Sequence, residues 1–230
     1  MKKSVIVISL GGSLIIPNDV DVKLLKEFRK IILKNTNKYK FIVVCGGGSI
    51  ARKYINALRE IGMNETFQSF AGISATRMNA RFMSYFFKQN QETGIPHKMF
   101  ELVNYIKKFN IVFCGALEYK PHQTSDSTAV AIAKHFKSCF INLTDVPGLH
   151  DKNPKKFKDA KFIPEISWQN FHKMANKIEF KPGQHFILDQ TAAKGIMAYR
   201  IKTYILGKDM TQLDNLLNNE KFKGTTIGDF

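Results

Sequence analysis

Two stretches of the sequence bare the main chain where an apolar run gives way to a helical pattern. In VVCGGGSIAR, residues 43–52, three glycines in a row are followed by a basic residue, Arg52, four positions beyond the last of them. In SLGGSL, residues 9–14, Gly11, Gly12 and Ser13 stand in the same relation to the first apolar run. Main-chain N–H groups with no side chain above them, at the carboxyl end of a strand, form a cradle for an anion, and phosphate gains most from it. Either cluster alone is equally well explained by turn geometry. Two at matching positions point to phosphate. Neither matches GxxxxGK[ST] or GxGxxG, so the cradle is of another kind.

A third stretch, QTSDSTAVAIA, offers Thr124 or Ser125 as a helix cap, with Asp126 in the first turn, where its charge suits the helix dipole. Capping accounts for Ser125 fully and for Asp126 in part. The alternative role for Asp126 is to order basic groups or metal-bound water around a phosphoryl group in transfer. A fourth, NLTDVPGLHDKNPKKFKDAKFI, is a polar excursion from a strand end that either wraps a purine nucleotide or is an ordinary surface loop. Lys194, Lys155 and Lys156 either reach phosphates or are simply solvated, and Asp189 either only caps the helix that contains Lys194 or also supports the active site. The sequence contains no Ser-His or Cys-His signature. Cys45, Cys114 and Cys139 sit singly in apolar runs and read as small core residues of a reducing compartment. The histidines lack metal spacing, so no protein metal site is expected; His122 stands out only because it lies in the polar loop ALEYKPHQ.

The elements that must position these residues follow from periodicity. Short β-branched runs alternate with longer amphipathic stretches across 230 residues, the pattern of an α/β fold with a mainly parallel sheet covered by helices on both faces. Ser4–Leu10 and Lys40–Cys45 read as central strands. Between them Val22, Leu25, Phe28, Ile32 and Leu33 form one helical stripe. Further helices are expected over SIARKYINALREIG, stopped by Gly62, over ETFQSFAGISATRMNARFMSYFFKQN as one or two, and over MFELVNYIKKFN, SDSTAVAIAKHF, Trp168–Lys177 and QTAAKGIMAY. Strands are expected at IVFCG, SCFINL and, last, KTYILG. With no repeat and no linker, the chain reads as one domain, with two lobes at most.

The net charge of +16 favours polyanionic partners, but the lysines are scattered, as on a solvated surface, and no nucleic-acid signature accompanies them. No run approaches the roughly 18 apolar residues of a membrane span, and the apolar N-terminal segment is broken by Ser9 and Gly11-Gly12. A soluble, cytoplasmic protein is expected, without membrane or specific nucleic-acid partners.

Taken in order, ISLGGSLIIP, VVCGGGSIARKYI, NETFQSFAGISATRMNARFM, TSDSTAVAIA, TDVPGLHDKNPKKFKDAK, LDQTAAKGI and KGTTI resemble the amino-acid kinase family, and within it the archaeal-type uridylate kinases. The resemblance implies a three-layer αβα sandwich of the carbamate kinase-like type. It also implies Mg²⁺-dependent transfer of the ATP γ-phosphoryl group to UMP, and a homohexamer. About 1–137 would form the UMP lobe and 138–230 the ATP lobe. Carried over by position, Gly11, Gly12, Ser13, Gly48 and Arg52 would meet the ATP phosphates, with Thr144, Asp145, His150 and Asn153 on the adenosine side. Gly47, Ser69, Pro121, His122, Gln123, Thr124, Ser125 and Asp126 would hold UMP. Arg52, Asp126 and Ser13 would carry the catalysis. On this reading two phosphate groups meet above the three glycines.

The chain departs from the family pattern at named points. Ser9 stands where many members have a lysine, Ser69 where an aspartate usually meets the ribose, and Pro147 and Asn153 where aspartates are usual. His150 replaces an aromatic residue, and ALEYKPHQ is longer by about two residues. Two alternatives follow: an isopentenyl phosphate kinase of the same fold, against which GGGSIAR lacks the expected histidine, and a nucleotide-binding sensor that has lost catalysis.

Overall fold

The structure, a computed structural model, describes residues 3–89, 94–120, 123–177 and 188–230. In chain order the elements are β1 (Ser4–Leu10), α1 (Gly12–Ile15), α2 (Val22–Lys34), β2 (Tyr39–Cys45), α3 (Gly48–Glu60), α4 (Glu65–Phe86), α5 (Met99–Lys108) and β3 (Ile111–Cys114). There follow α6 (Ser125–Phe136), β4 (Phe140–Leu143), β5 (Leu149–His150), β6 (Phe162–Ile163), β7 (Glu165–Ser167), α7 (Trp168–Ala175), α8 (Gln190–Ala198), β8 (Thr203–Leu206), α9 (Met210–Leu217) and β9 (Thr225–Gly228).

Seven strands form one sheet in the order β3-β2-β1-β4-β8-β9-β7. Every pairing is parallel except β8 with β9. The chain steps outward from β1 through β2 to β3, then crosses to the other side of β1 to lay down β4 and β8. This reversal is a topological switch point, and in open α/β sheets the crevice at the carboxyl ends of the strands on either side of it receives ligands. Alternation along β1 builds the two faces. Ile6, Ile8 and Leu10 point into a core shared with α2, α4 and α9. Val7 points into a second core with α5, α6, α7 and α8. The result is the expected three-layer sandwich with a mainly parallel sheet.

Local sequence explains the helices. Asp21 caps α2 by accepting the Leu24 N–H at 3.1 Å, and Leu24, Leu25, Phe28 and Ile32 are buried beneath it. Val22 and Leu33, expected on the same stripe, are 46% and 40% exposed. Leu33 lies about 100° round the helix from Ile32 and so leaves the buried face. The stretch from Glu65 is a single helix of 22 residues, capped by Asn64. Apart from Met83, its buried residues are small or polar (Gln68, Ala75, Thr76, Asn79, Ala80, Ser84), whereas Phe67, Phe70, Met78 and Tyr85 face outward. Cys45 and Cys114 are fully buried on opposite faces of the sheet, and burial pushes the Cys114 thiol up to about 12. Cys139 is only half-buried. KTYILG is not the last strand: α9 packs on α2, and β9 adds antiparallel beside β8. The loop after β4 contains the hairpin of β5 and β6.

The ends of β1 and β2 touch through bare main chain. A Cβ on Gly12 would lie 2.0 Å from the Gly48 nitrogen, and one on Gly46 would lie 2.4 Å from the Gly12 nitrogen. Gly48 has φ +63°, and a Cβ there would meet the Gly12 carbonyl oxygen at 2.6 Å. Side chains are therefore excluded first by the opposing loop. Gly12→Ala is expected to cost at least about 2 kcal/mol in denaturant unfolding, because only backbone displacement can relieve the clash. Gly72→Ala, inside α4 and 3.4 Å from the Ile55 Cδ1, is expected to be neutral or to stabilise by up to about 1 kcal/mol through helix propensity.

Candidate active site

The carboxyl ends of β1, β2, β3 and β4 and the N-termini of α3, α6 and α8 converge at the switch point. The glycine loops are bound into the sheet by their outer atoms. The Gly11 N–H donates to the Leu143 carbonyl at 2.9 Å and the Gly46 N–H to the Leu10 carbonyl at 2.9 Å. The Ser49 N–H, in the first turn of α3, donates to the Ile16 carbonyl at 3.0 Å. Among the described residues no acceptor meets the N–H groups of Gly12, Ser13, Gly47 or Gly48. Backbone donors away from solvent are nearly always paired, and Gly12 and Gly48 are both buried. Four such donors on two loops in van der Waals contact make a site suited to anions.

Helix α4 holds this arrangement from behind. The buried Asn79 donates from Nδ2 to the Gly46 carbonyl at 2.7 Å. Arg77 donates to the Ala116 and Leu117 carbonyls at 3.1 and 2.6 Å, and Thr76 Oγ1 accepts the Ala116 N–H at 3.0 Å. The loop after β3 is thereby fixed against the helix. Neither Asn79 nor Arg77 was singled out from the sequence, though both lie in the TRMNA block that carried the resemblance. Arg52, on the second turn of α3, uses one donor on the Pro17 carbonyl at 3.1 Å. It stands beside the loop after α1, close to the Gly12–Gly48 contact.

A polar network joins the other two helix ends. Thr124 caps α6, its Oγ1 accepting the Asp126 N–H at 3.1 Å and donating to Asp189 Oδ2 at 2.5 Å. Ser127 Oγ reaches the same carboxylate at 2.8 and 2.9 Å, and Asp189 caps α8 through the Ala192 N–H at 2.8 Å. Asp189 therefore does more than cap its own helix: it clamps α6 to α8. Asp126 turns toward β1, where Ser9 Oγ donates to its Oδ1 at 2.7 Å. Burial, with the Asp189 charge nearby, pushes the Asp126 carboxyl up from the usual 3.8 to about 7, against the opposing pull of the Ser9 hydrogen bond.

On the far side of β4, Thr144 is tied to β8 by its N–H to the Leu206 carbonyl at 2.9 Å. Asp145 forms an ion pair with Lys155. The polar excursion folds back as a hairpin in which His150 meets Phe162 edge-on at 5.5 Å. Asn153 is exposed and accepts the Lys155 N–H at 2.9 Å. The hairpin is pinned from β9 by buried Thr225, whose Oγ1 accepts the Leu149 N–H at 2.8 Å and donates to the Ile163 carbonyl at 2.5 Å. Nothing in the type or spacing of Thr225 marked it for that role. Lys194 and Lys156 are exposed. Ser69 lies half-buried on α4, one turn before Gly72, whose carbonyl oxygen would be 3.6 Å from a Cβ on Gly47. Gln123 is exposed at the approach to α6, beside Thr124 and the half-buried Ser125. Pro121 and His122 lie outside the described residues.

Comparison with known proteins now adds to this geometry. Residues 4–207 match the model of the amino acid kinase family. The chain belongs to that family. It is 34% identical over 224 residues to the uridylate kinase of Thermoplasma volcanium, covering 96% of each chain. With the uridylate kinase of Thermococcus kodakarensis it shares 32% identity, over 96% of this chain and 98% of the other. The crystal structure of the uridylate kinase from Archaeoglobus fulgidus superposes with a TM-score of 0.83 at 31% identity, covering 98% of this chain and all of that one. The family match spans both glycine loops, Asp126 and Asp189, and it ends just after β8, before α9 and β9.

Two outcomes follow from this geometry. In the folded state Asp126 holds its proton to about pH 7, and in the unfolded chain only to about 3.8. The stability of the wild type therefore falls as pH rises through that interval. Asp126→Asn is expected to unfold at the same temperature as the wild type near pH 3.5, and at a higher temperature by pH 8. The gap is at most about 4 kcal/mol, less whatever residual solvent screens; thermal melts at several pH values measure it. Asn79→Ala strands the buried Gly46 carbonyl and is expected to cost about 1–3 kcal/mol in denaturant unfolding.

Proposed function

We propose that the chain is a uridylate kinase that transfers the ATP γ-phosphoryl group to UMP, giving UDP and ADP. The observation that carries this reading is the set of four acceptor-less N–H groups on Gly12, Ser13, Gly47 and Gly48, in a fold whose full-length relatives are named uridylate kinases. Phosphoryl transfer demands positioning and charge neutralisation more than a nucleophilic side chain. The site supplies main-chain donors and a guanidinium, and no thiol ready to react.

In this mechanism Gly11, Gly12, Ser13 and Gly48 hold the phosphates of ATP, and Gly47 holds the phosphate of UMP. The approach of two anions to one seam is opposed by Coulomb repulsion, which Arg52 offsets from α3. The UMP nucleoside runs along Ser69 on α4 and the segment Gln123–Asp126. The ATP adenosine lies by Thr144, Asp145, His150 and Asn153. Freeing Lys155 from Asp145 would give the nucleotide an additional cation. Mg²⁺ arrives with ATP as part of the substrate. Among the described residues no group of three or more His, Cys, Asp or Glu converges to hold a metal, as suits an ion bound mainly through phosphates and water. The two substrate lobes, about 1–137 and 138–230, share one continuous sheet.

Self-association as a hexamer fits the outward aromatic face of α4, where Phe67, Phe70, Met78 and Tyr85 are each 45–55% exposed. Light scattering near six times 26.2 kDa is the expected result, and a monomer at micromolar concentration would oppose it. No helix of the described residues is long and apolar enough to cross a membrane, in keeping with action on dissolved nucleotides.

A coupled ADP-release assay with UMP, CMP and isopentenyl phosphate tests the acceptor. UMP-dependent turnover is expected, and ADP formed only with isopentenyl phosphate would overturn the assignment. ATP binding without turnover on any acceptor would identify a sensor. Arg52→Ala is expected to lower turnover at least about a hundredfold with the fold intact, the scale of losing one electrostatic element at a transferring group.

A further inference from the structure

Ser9 is a polar residue one position from the carboxyl end of β1, an interior strand of the sheet. It is 1% exposed, and its neighbours in register are Val44 on β2 and Asn142 on β4. It shares a face with Val7, on which α6 packs. A hydroxyl buried in such a position costs stability unless it is hydrogen-bonded. Its bond reaches across 117 residues of sequence to Asp126 Oδ1 at 2.7 Å, a length within the range for a hydroxyl on a carboxylate. Asp189, the other carboxylate near Asp126, is committed to Thr124, Ser127 and the Ala192 N–H. Asp126 Oδ2 has no hydrogen-bond partner among the described residues.

We propose that Ser9 is a positioning residue, whose hydroxyl fixes the Asp126 carboxylate in the orientation that phosphoryl transfer uses. This rests on the phosphotransferase reading of the same site. The strand is the rigid member of the pair: β1 is hydrogen-bonded on both edges, whereas Asp126 stands in the first turn of a helix that follows a loop. A donor anchored in the sheet leaves the carboxylate one oxygen to direct into the crevice. The groups that face Asp126 are Asp189 on α8, which favours its proton, and Ser9 on β1, which opposes it. Loss of the Ser9 donor removes the opposing influence, so the carboxyl keeps its proton to higher pH.

The test compares wild type, Ser9→Ala and Ser9→Thr. For turnover of ATP with UMP, Ser9→Ala is expected to lower kcat about tenfold or more near pH 7, with KM for UMP changed less than about threefold. Its acid limb should move up by about one pH unit, the equivalent of one tenfold change in proton affinity, and Ser9→Thr should restore both. A wild-type acid limb in Ser9→Ala, or no recovery in Ser9→Thr, would overturn the proposal. A second measurement does not depend on the acceptor: the Asp126 carboxyl is titrated by NMR in ¹³C-aspartate-labelled protein, assigned with Asp126→Asn. The Ser9→Ala titration is expected at higher pH, and an unchanged midpoint would overturn the proposal even if the variant is slow. Should wild type show no UMP turnover, the acceptor reading fails while the titration still decides the role of Ser9. If Ser9→Ala does not fold, Ser9→Cys, a weaker donor of similar shape, is titrated in its place.

Discussion

The contact between the ends of β1 and β2 is the constraint on which the rest of the molecule depends. At that point two main chains approach until a single Cβ on Gly12 would sit 2.0 Å from the Gly48 nitrogen. Such closeness is possible only between glycines. It brings the start of α3, with its unpaired N–H groups, beside the loop from the central strand and the unpaired N–H groups there. The sheet enforces this arrangement, because β1 and β2 pair in register from Ser4 with Tyr39 to Leu10 with Cys45. The strands end level, and their loops have nowhere to go except against each other.

Around that seam the polar groups are arranged so that few atoms are left loose. Thr124, Ser127 and Asp189 lock the beginnings of α6 and α8 together, and Asn79 and Arg77 fasten the loops after β2 and β3 to α4. Among these side chains Asp126 is the exception. It is half-buried, it lies near a second carboxylate, and it retains one oxygen without a partner among the described residues. A group kept at that energetic cost in a cleft is a functional candidate on physical grounds. Serine at position 9, where many family members have a lysine, changes what the strand offers the site from a charge to a hydrogen bond.

Much of this was legible in the sequence because local rules and tertiary packing agreed. The continuous apolar runs at Ser4–Leu10 and Lys40–Cys45 could only be strands buried on both faces, and Thr124 and Asp189 cap the helices they precede. On α2 periodicity extends the stripe to Val22 and Leu33, but the buried face is narrower and leaves both exposed. α4 is legible as helix but not in its orientation: Gln68, Ala75, Thr76 and Asn79 face inward while Phe67, Phe70 and Met78 face out, so over most of its length hydropathy points the wrong way. The glycines were legible as bare main chain but not as partners of one another. Their mutual exclusion of side chains is a property of two segments some 35 residues apart. Likewise Asn79 and Thr225 acquire their roles only from what the fold brings opposite them, and α9 and β9 lie beyond the last strand that periodicity revealed.

The central claim is that donor and acceptor phosphates meet over the seam of Gly12, Ser13, Gly47 and Gly48. A crystal structure with UMP and a non-hydrolysable ATP analogue bound together tests it most directly. The γ-phosphate analogue is expected within hydrogen-bonding distance of the Gly12, Ser13 and Gly48 nitrogens, and the UMP phosphate within that distance of the Gly47 nitrogen, with Arg52 alongside. Phosphates bound elsewhere, with these four N–H groups turned to protein or water, would contradict the account.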